Sequence, residues 1–274
     1  MSRTPAEFPP PRPSRRALLG APLLLPFAAR AQGLDDSLAG VVRRGVLRVS
    51  VSFWTSRFLP RPGPDAPGMR DGFHDALSRL IAQQLGVRAE LLPVRESGQG
   101  ASRLIEGEVD VALAPPITRQ LLRQIMFCSP HLNLDLVVVA RGAQATERPR
   151  QRLQGMRLGA LSVLAAALVD RGTLASVTPV ATPWQLLRLL TEGQLDGAIL
   201  TSVTADSALR ELPELGLRVQ QSLAPATFAA AVAYGAHDLR RAVNLAIEQL
   251  LLDGRLADLF RRETGLPFNP PYPE

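Results

Sequence analysis

The sequence predicts an α/β protein of two lobes, each built on strands that run parallel. Three observations carry that prediction. Short apolar runs of strand length alternate with stretches whose apolar residues recur at helical spacing. That alternation runs once through residues 46–140 and restarts at residue 156. Several of the runs hold an unbroken apolar stretch, Val111 to Leu113 within 109–113 and Leu136 to Ala140 within 134–140, as strands buried on both faces of a parallel sheet do. A chain of 274 residues with 46% hydrophobic content is ample for one or two packed cores.

The first element is a leader. Residues 1–31 open with a polar, Arg- and Pro-bearing segment, followed by an apolar stretch at 17–29. A membrane-crossing helix needs about 20 apolar residues, so this stretch reads as the core of an export signal. Ala29-Arg30-Ala31 supplies the small-x-small pattern of a cleavage site, leaving Gln32 first. Ser14-Arg15-Arg16 followed by Leu18-Leu19 reads as a twin-arginine signal; a general secretory leader with two adjacent arginines is the alternative. Either route ends in the periplasm. Residues 32–43 are expected as a linker.

In the first lobe, 46–51 alternates after Gly45 and predicts a strand. Residues 52–71 hold four Pro and two Gly and predict a loop. Residues 73–85 carry Leu77, Leu80, Ile81 and Leu85 at helical spacing and stop at Gly86. A strand at 88–94, a short helix at 101–105 and a strand at 109–113 follow. Thr118 reads as the N-cap of a helix over 118–125, and 134–140 closes the set as a strand. In the second lobe, strands are predicted at 156–161, 176–180 and 195–200. Helices are predicted at 164–169 and at 182–190, the latter with Thr182 as cap and Pro183 in its first turn. A strand at 228–234 and a long helix at 238–252, ending before Gly254, complete the chain.

Charge argues against nucleic acid. All 31 basic residues are arginine, and five of them lie in the leader against one Glu, so removal of the leader lowers the net charge from +6 to +2. Cys128 is the only cysteine, so no internal disulfide forms, and its apolar neighbours Ile125, Met126 and Phe127 predict a buried small residue. His74, His131 and His237 lack metal-ligand spacing, and no metal or cofactor is expected.

Gly45-Val-Leu-Arg-Val-Ser-Val51, Gly72-Phe73 with Leu77-Ser-Arg-Leu-Ile-Ala-Gln-Gln-Leu-Gly86, and Gly107-Glu-Val-Asp110 with Ile117-Thr118 and Gln124-Ile125-Met126-Phe127 carry a resemblance. So do Leu153-Gln-Gly155, Gly193-Gln-Leu-Asp196 and the closing Asp238-Leu239, Asn244 and Asp253-Gly254. In order and spacing these segments resemble the periplasmic solute-binding proteins of polar amino-acid ABC importers, extracellular solute-binding protein family 3. The resemblance implies a two-lobed periplasmic-binding-protein-like clamp with two hinge strands. It places lobe 1 at 44–138 plus 233–268, lobe 2 at 139–232 and a tail at 269–274. It also implies a small-molecule ligand, an inner-membrane ABC permease as partner, a monomer and no enzymatic activity.

The ligand motifs depart from the family's. The position of its carboxylate-binding Arg holds Leu121, and that of its ammonium-binding Asp holds Thr201. Its Gly-Thr-Thr turn is replaced by Val163-Leu164-Ala165, after Ser162, and Ala114-Pro115-Pro116 removes amide donors. An ordinary α-amino acid is therefore not the expected ligand. The expected cleft residues are Phe53 and Trp54 past the first strand, Thr118 and Arg119 at the helix N-terminus, Ser162, and Thr201, with Trp54 and Thr201 facing each other. A non-transport clamp that docks on another periplasmic protein, such as a quinoprotein dehydrogenase, is the alternative. A dehydratase of cyclic acids ranks third, because Asp110, Asp196 and Asp238 fall in scaffold motifs.

Overall fold

The computed structural model describes residues 35–51, 72–92, 94, 98–142, 153, 155–170 and 172–271. The leader, Phe53, Trp54 and the 52–71 loop lie outside the described residues.

The first elements follow the predicted periods. β1 (Val46–Val51) buries Leu47 and Val49. α2 (Gly72–Gln84) follows α1 (Ser37–Arg44) and buries Phe73, Leu77 and Ile81, one side chain per turn. β2 (Arg88–Leu92), α3 (Gln99–Ile105) and β3 (Val111–Leu113) come next. β4 (Ile125–Arg141) is a 17-residue strand. The second half holds β5 (Leu158–Leu161), α4 (Ser162–Asp170), β6 (Thr178–Val180), α5 (Pro183–Thr191), β7 (Gly197–Thr201) and α6 (Ser202–Glu211). The Thr182 hydroxyl caps α5 by accepting the Gln185 N–H at 3.1 Å. β8 (Leu217–Ala233), α7 (His237–Leu252) and α8 (Arg255–Thr264) close the chain.

Three expectations need correction. The expected linker contains α1, whose Val41 is buried in the core. The helix expected at 118–125 is a single 3-10 turn, Leu121–Arg123, because Ile125 already belongs to β4. The two parallel sheets are joined into one eight-stranded ladder, ordered β2-β1-β3-β8-β4-β7-β5-β6. β1 is parallel to β2 and β3, and β5 is parallel to β6 and β7. The long strands β4 and β8 pair antiparallel between these blocks.

β4 and β8 connect two separate cores. Leu132 and Leu134 of β4 pack with β1, α2, α7 and α8, whereas Leu136 and Val137 pack with the elements of the second half. β8 changes sides likewise: Leu223 belongs to the second core and Ala230 to the first. The β4–β8 register shifts between Leu136 and Val137, a bulge that bends the pair where it changes cores. At Asn133, just before that crossing, the C-terminal segment docks: Asn133 N–H donates to the Asn269 carbonyl at 3.2 Å and its side-chain amide to Pro270 at 3.0 Å. No helix among the described residues is long and apolar enough to cross a membrane.

Candidate ligand cleft

Parallel strands present their carboxyl ends to ligands, and a cavity of about 110 Å³ lies at these ends between the two halves. Gly98, at the start of α3, and the 114–117 segment after β3 form one wall. Leu161 at the end of β5, Val163, Leu164, Ala167 and Leu168 of α4, Thr173 and Thr201 form the other. The crossing strands supply Leu136 and residues 224–228. The walls touch: a Cβ built on Gly98 would lie 3.2 Å from Val163 Cγ1.

No acidic or basic side chain lines this cavity among the described residues. Three hydroxyls do, and two of them are engaged by the protein. Thr201 Oγ1 accepts the Thr204 N–H at 3.2 Å as the cap of α6 and lies 2.9 Å from Thr204 Oγ1. Thr227 Oγ1 donates to Asn133 Oδ1 at 2.9 Å. Ala114 has φ 52, a left-handed conformation costly to a residue with a Cβ, and the two prolines after it offer no N–H. Strained backbone of this kind concentrates at ligand sites.

Of the residues expected at the cleft, Thr201 lines the cavity and the other described ones do not. Thr118 Oγ1 accepts the Leu121 N–H at 3.2 Å and so closes the 3-10 turn. Arg119 is exposed. A three-residue turn has no helix N-terminus to hold an anion, so the expected anion site at Thr118 and Arg119 lacks its physical basis. Ser162 Oγ donates to the Val180 carbonyl at 3.1 Å, tying the start of α4 to β6. Leu121 packs partly buried against Leu104, Val109 and Ile125 instead of facing the cavity. The sequence reading missed the apolar wall itself. Its signal was present in Ala114-Pro115-Pro116 and Val163-Leu164, which change the two facing walls in the same direction, from polar to apolar.

The two Gly-x-x-Asp motifs do identical structural work. Asp110 Oδ2 accepts the Arg48 N–H at 2.8 Å while the Arg48 guanidinium spans Asp110 Oδ1 at 2.9 Å and the Gly107 carbonyl at 3.3 Å. Asp196 Oδ2 accepts the Arg157 N–H at 2.8 Å, and the Arg157 guanidinium spans Asp196 Oδ1 at 2.7 Å and the Gly193 carbonyl at 2.8 Å. The hydrogen bonds from Arg157 hold the Asp196 carboxyl below its ordinary 3.8. The first clasp holds β1 and the second the start of β5, whose far end Leu161 lines the cavity; neither carboxylate does.

His74 and His131, distant in sequence, meet in the first core with their Nε2 atoms 3.2 Å apart. Burial, reinforced by the neighbouring His74, holds the His131 ring well below its ordinary 6.5. No group of three or more His, Cys, Asp or Glu among the described residues is placed to hold a metal.

The sequence model of the bacterial extracellular solute-binding proteins, family 3, matches residues 62–265. The chain belongs to this family. Solved structures share its two-lobed fold. An amino acid ABC transporter substrate-binding protein, AbpA, of Streptococcus pneumoniae bound to L-arginine superposes with TM-score 0.69 at 18% identity, over 83% of this chain and 98% of that one. The periplasmic VFT2 domain of BvgS from Bordetella pertussis superposes with TM-score 0.67 at 21% identity, over 84% and 97%. By sequence the chain is similar to the virulence sensor protein BvgS of Bordetella bronchiseptica, 25% identical over 273 residues, 95% of this chain and 21% of that protein. It is also similar to the membrane-bound lytic murein transglycosylase F of Photobacterium profundum, 26% identical over 226 residues, 75% of this chain and 41% of that protein. The chain thus spans a minor part of the length of both curated relatives.

Proposed function

We propose that this protein captures a small organic solute, other than an ordinary α-amino acid, in the periplasm and delivers it to an inner-membrane ABC permease. The observation that carries this reading is the cleft wall: it retains the family's position at the strand ends but has no charged side chain among the described residues. A zwitterion closed into that space would leave its carboxylate and ammonium unpaired, and a buried charge without a partner is strongly disfavoured. No acid or base lines the described cavity either, which supports capture without chemistry. In this reading the lobes follow the sequence-expected bounds, 44–138 with 233–268 and 139–232, to within a few residues, and the hinge lies where β4 and β8 change cores, between Leu134 and Leu136 and between Leu223 and Ala230. Phe53 and Trp54 are proposed as ligand-binding residues, and the leader, removed after Ala31, as the route to the periplasm.

The test is a thermal-shift screen of the chain from Gln32 against a solute library that includes the twenty amino acids, followed by calorimetry. The reading expects at least one solute that stabilises the protein and no amino acid with sub-micromolar affinity. A tightly bound amino acid contradicts it.

The similarity to the virulence sensor protein BvgS supports a second reading, a clamp with a non-transport role, which here would be docking on another periplasmic protein. Uptake of the identified solute in a strain lacking this protein separates the two: loss of uptake supports transport, and unchanged uptake supports the second reading.

A further inference from the structure

The cleft holds more information than the absence of charge. Its described wall is built chiefly from Leu136, Leu161, Val163, Leu164, Leu168 and Phe228, contributed by both halves and by the crossing strands. Thr201 and Thr227 direct their hydroxyls to Thr204 and Asn133. Thr173, exposed at the rim, is the third lining hydroxyl. At about 110 Å³ the cavity approaches the size of dry, aliphatic-lined cavities that take benzene. Its apolar wall offers water few hydrogen-bond partners, so an apolar occupant displaces only weakly held water.

We infer that the cleft selects an uncharged, mainly hydrocarbon molecule of about six or seven non-hydrogen atoms, carrying at most one hydroxyl or carbonyl group that meets Thr173 at the rim. This inference rests on the proposed solute-capture reading and names its ligand class. Shape and charge work together here. The aliphatic walls bury the hydrocarbon body, and the rim hydroxyl accommodates one neutral polar group. A carboxylate or an ammonium in the same place loses its hydration and gains no counter-charge.

Three probes of about seven non-hydrogen atoms each isolate the charge: cyclohexanol, cyclobutanecarboxylate and cyclohexylammonium, each titrated into the chain from Gln32 by calorimetry and thermal shift. Cyclohexanol is expected to raise the melting temperature increasingly with its concentration and to bind at least tenfold more tightly than either ion. Ala167→Leu, which extends a side chain from α4 into the cavity, is expected to weaken cyclohexanol at least tenfold. Leu164→Phe makes the same test should Ala167→Leu fail to fold. Binding of either ion as tightly as the alcohol overturns the inference. So does cyclohexanol binding that is unaffected by both variants, and so does the absence of any cyclohexanol binding. A charged library solute whose binding is abolished by Ala167→Leu would overturn the ligand class while leaving solute capture intact. A library in which nothing binds would remove both.

Discussion

Gly98 faces Val163 across the cleft, so an added methyl group there probes closure directly. Gly98 has φ +89, and a Cβ on it would sit 3.2 Å from Val163 Cγ1, closer than ordinary van der Waals contact. Gly98→Ala therefore has two separable costs. The left-handed backbone costs an alanine about 1–2 kcal/mol whether the clamp is open or closed. The wedge against Val163 falls on the closed form alone, and overpacking of this kind costs about 1–3 kcal/mol. A cost in that range shifts an open–closed equilibrium by about 5- to 150-fold toward the open form. Small-angle X-ray scattering reads the shift as a larger radius of gyration. Adding Val163→Ala removes the methyl groups that the new Cβ would strike. It should restore the compact scattering curve while leaving the backbone cost visible in urea denaturation. A radius of gyration unchanged by Gly98→Ala, or an expanded form that Val163→Ala fails to close, refutes the reasoning.

Other consequences follow from the buried and clasped groups. His131 is held neutral by burial, so below 6.5 the unfolded chain binds a proton that the folded chain does not. Stability should therefore fall as pH drops below 6.5, by about 1.4 kcal/mol per pH unit, and His131→Phe should flatten that limb in urea melts. Asp196 has its own limb further down: its contribution is present above 3.8 and is lost as pH falls below that value, a change that His131→Phe should not move. Asp110→Ala breaks the clasp on Arg48 and should lower stability by about 2–4 kcal/mol in denaturant titration; a loss below about 0.5 kcal/mol, the size of a neutral surface change, would contradict the assigned role. Burial pushes the Cys128 thiol up to about 12, so a thiol reagent should label it only under denaturing conditions. Replacing Arg15-Arg16 by Lys-Lys should block export if the leader is of the twin-arginine type, as judged by periplasmic fractionation.

The regular elements were legible where one physical signal dominated. β1 shows its alternation, α2 and α7 place one apolar side chain per turn, and Thr182-Pro183 announces the start of α5. The long strands were legible only in part. β4 contains Pro130, and its burial changes from alternating at Leu132–Leu134–Leu136 to continuous at 137–140 as it moves from one core to the other. The first half of β8 breaks its apolar residues with Arg218, Gln220, Gln221 and Ser222 and carries Pro225, so only its continuously apolar end reads as strand. α6 was missed because its buried face consists mostly of Ala, Ser and Thr beside Val203, a weak hydrophobic signal. At Thr118 the opposite happened: a good cap residue and two leucines suggested a helix, but pairing of Ile125 with Ala233 drew the chain into the sheet. The altered wall motifs were visible in the sequence, yet only the fold shows that they converge with Leu136 and Phe228 on one cavity.

The central claim is that this cleft accepts an apolar body and rejects a zwitterion. Leucine and 3-methylbutan-1-ol share a branched aliphatic chain and differ in the charged groups. Calorimetric titration of the chain from Gln32 with each compound compares them directly. The account predicts that the alcohol binds at least tenfold more tightly than the amino acid. Leucine binding as tightly as the alcohol, or more tightly, would contradict it.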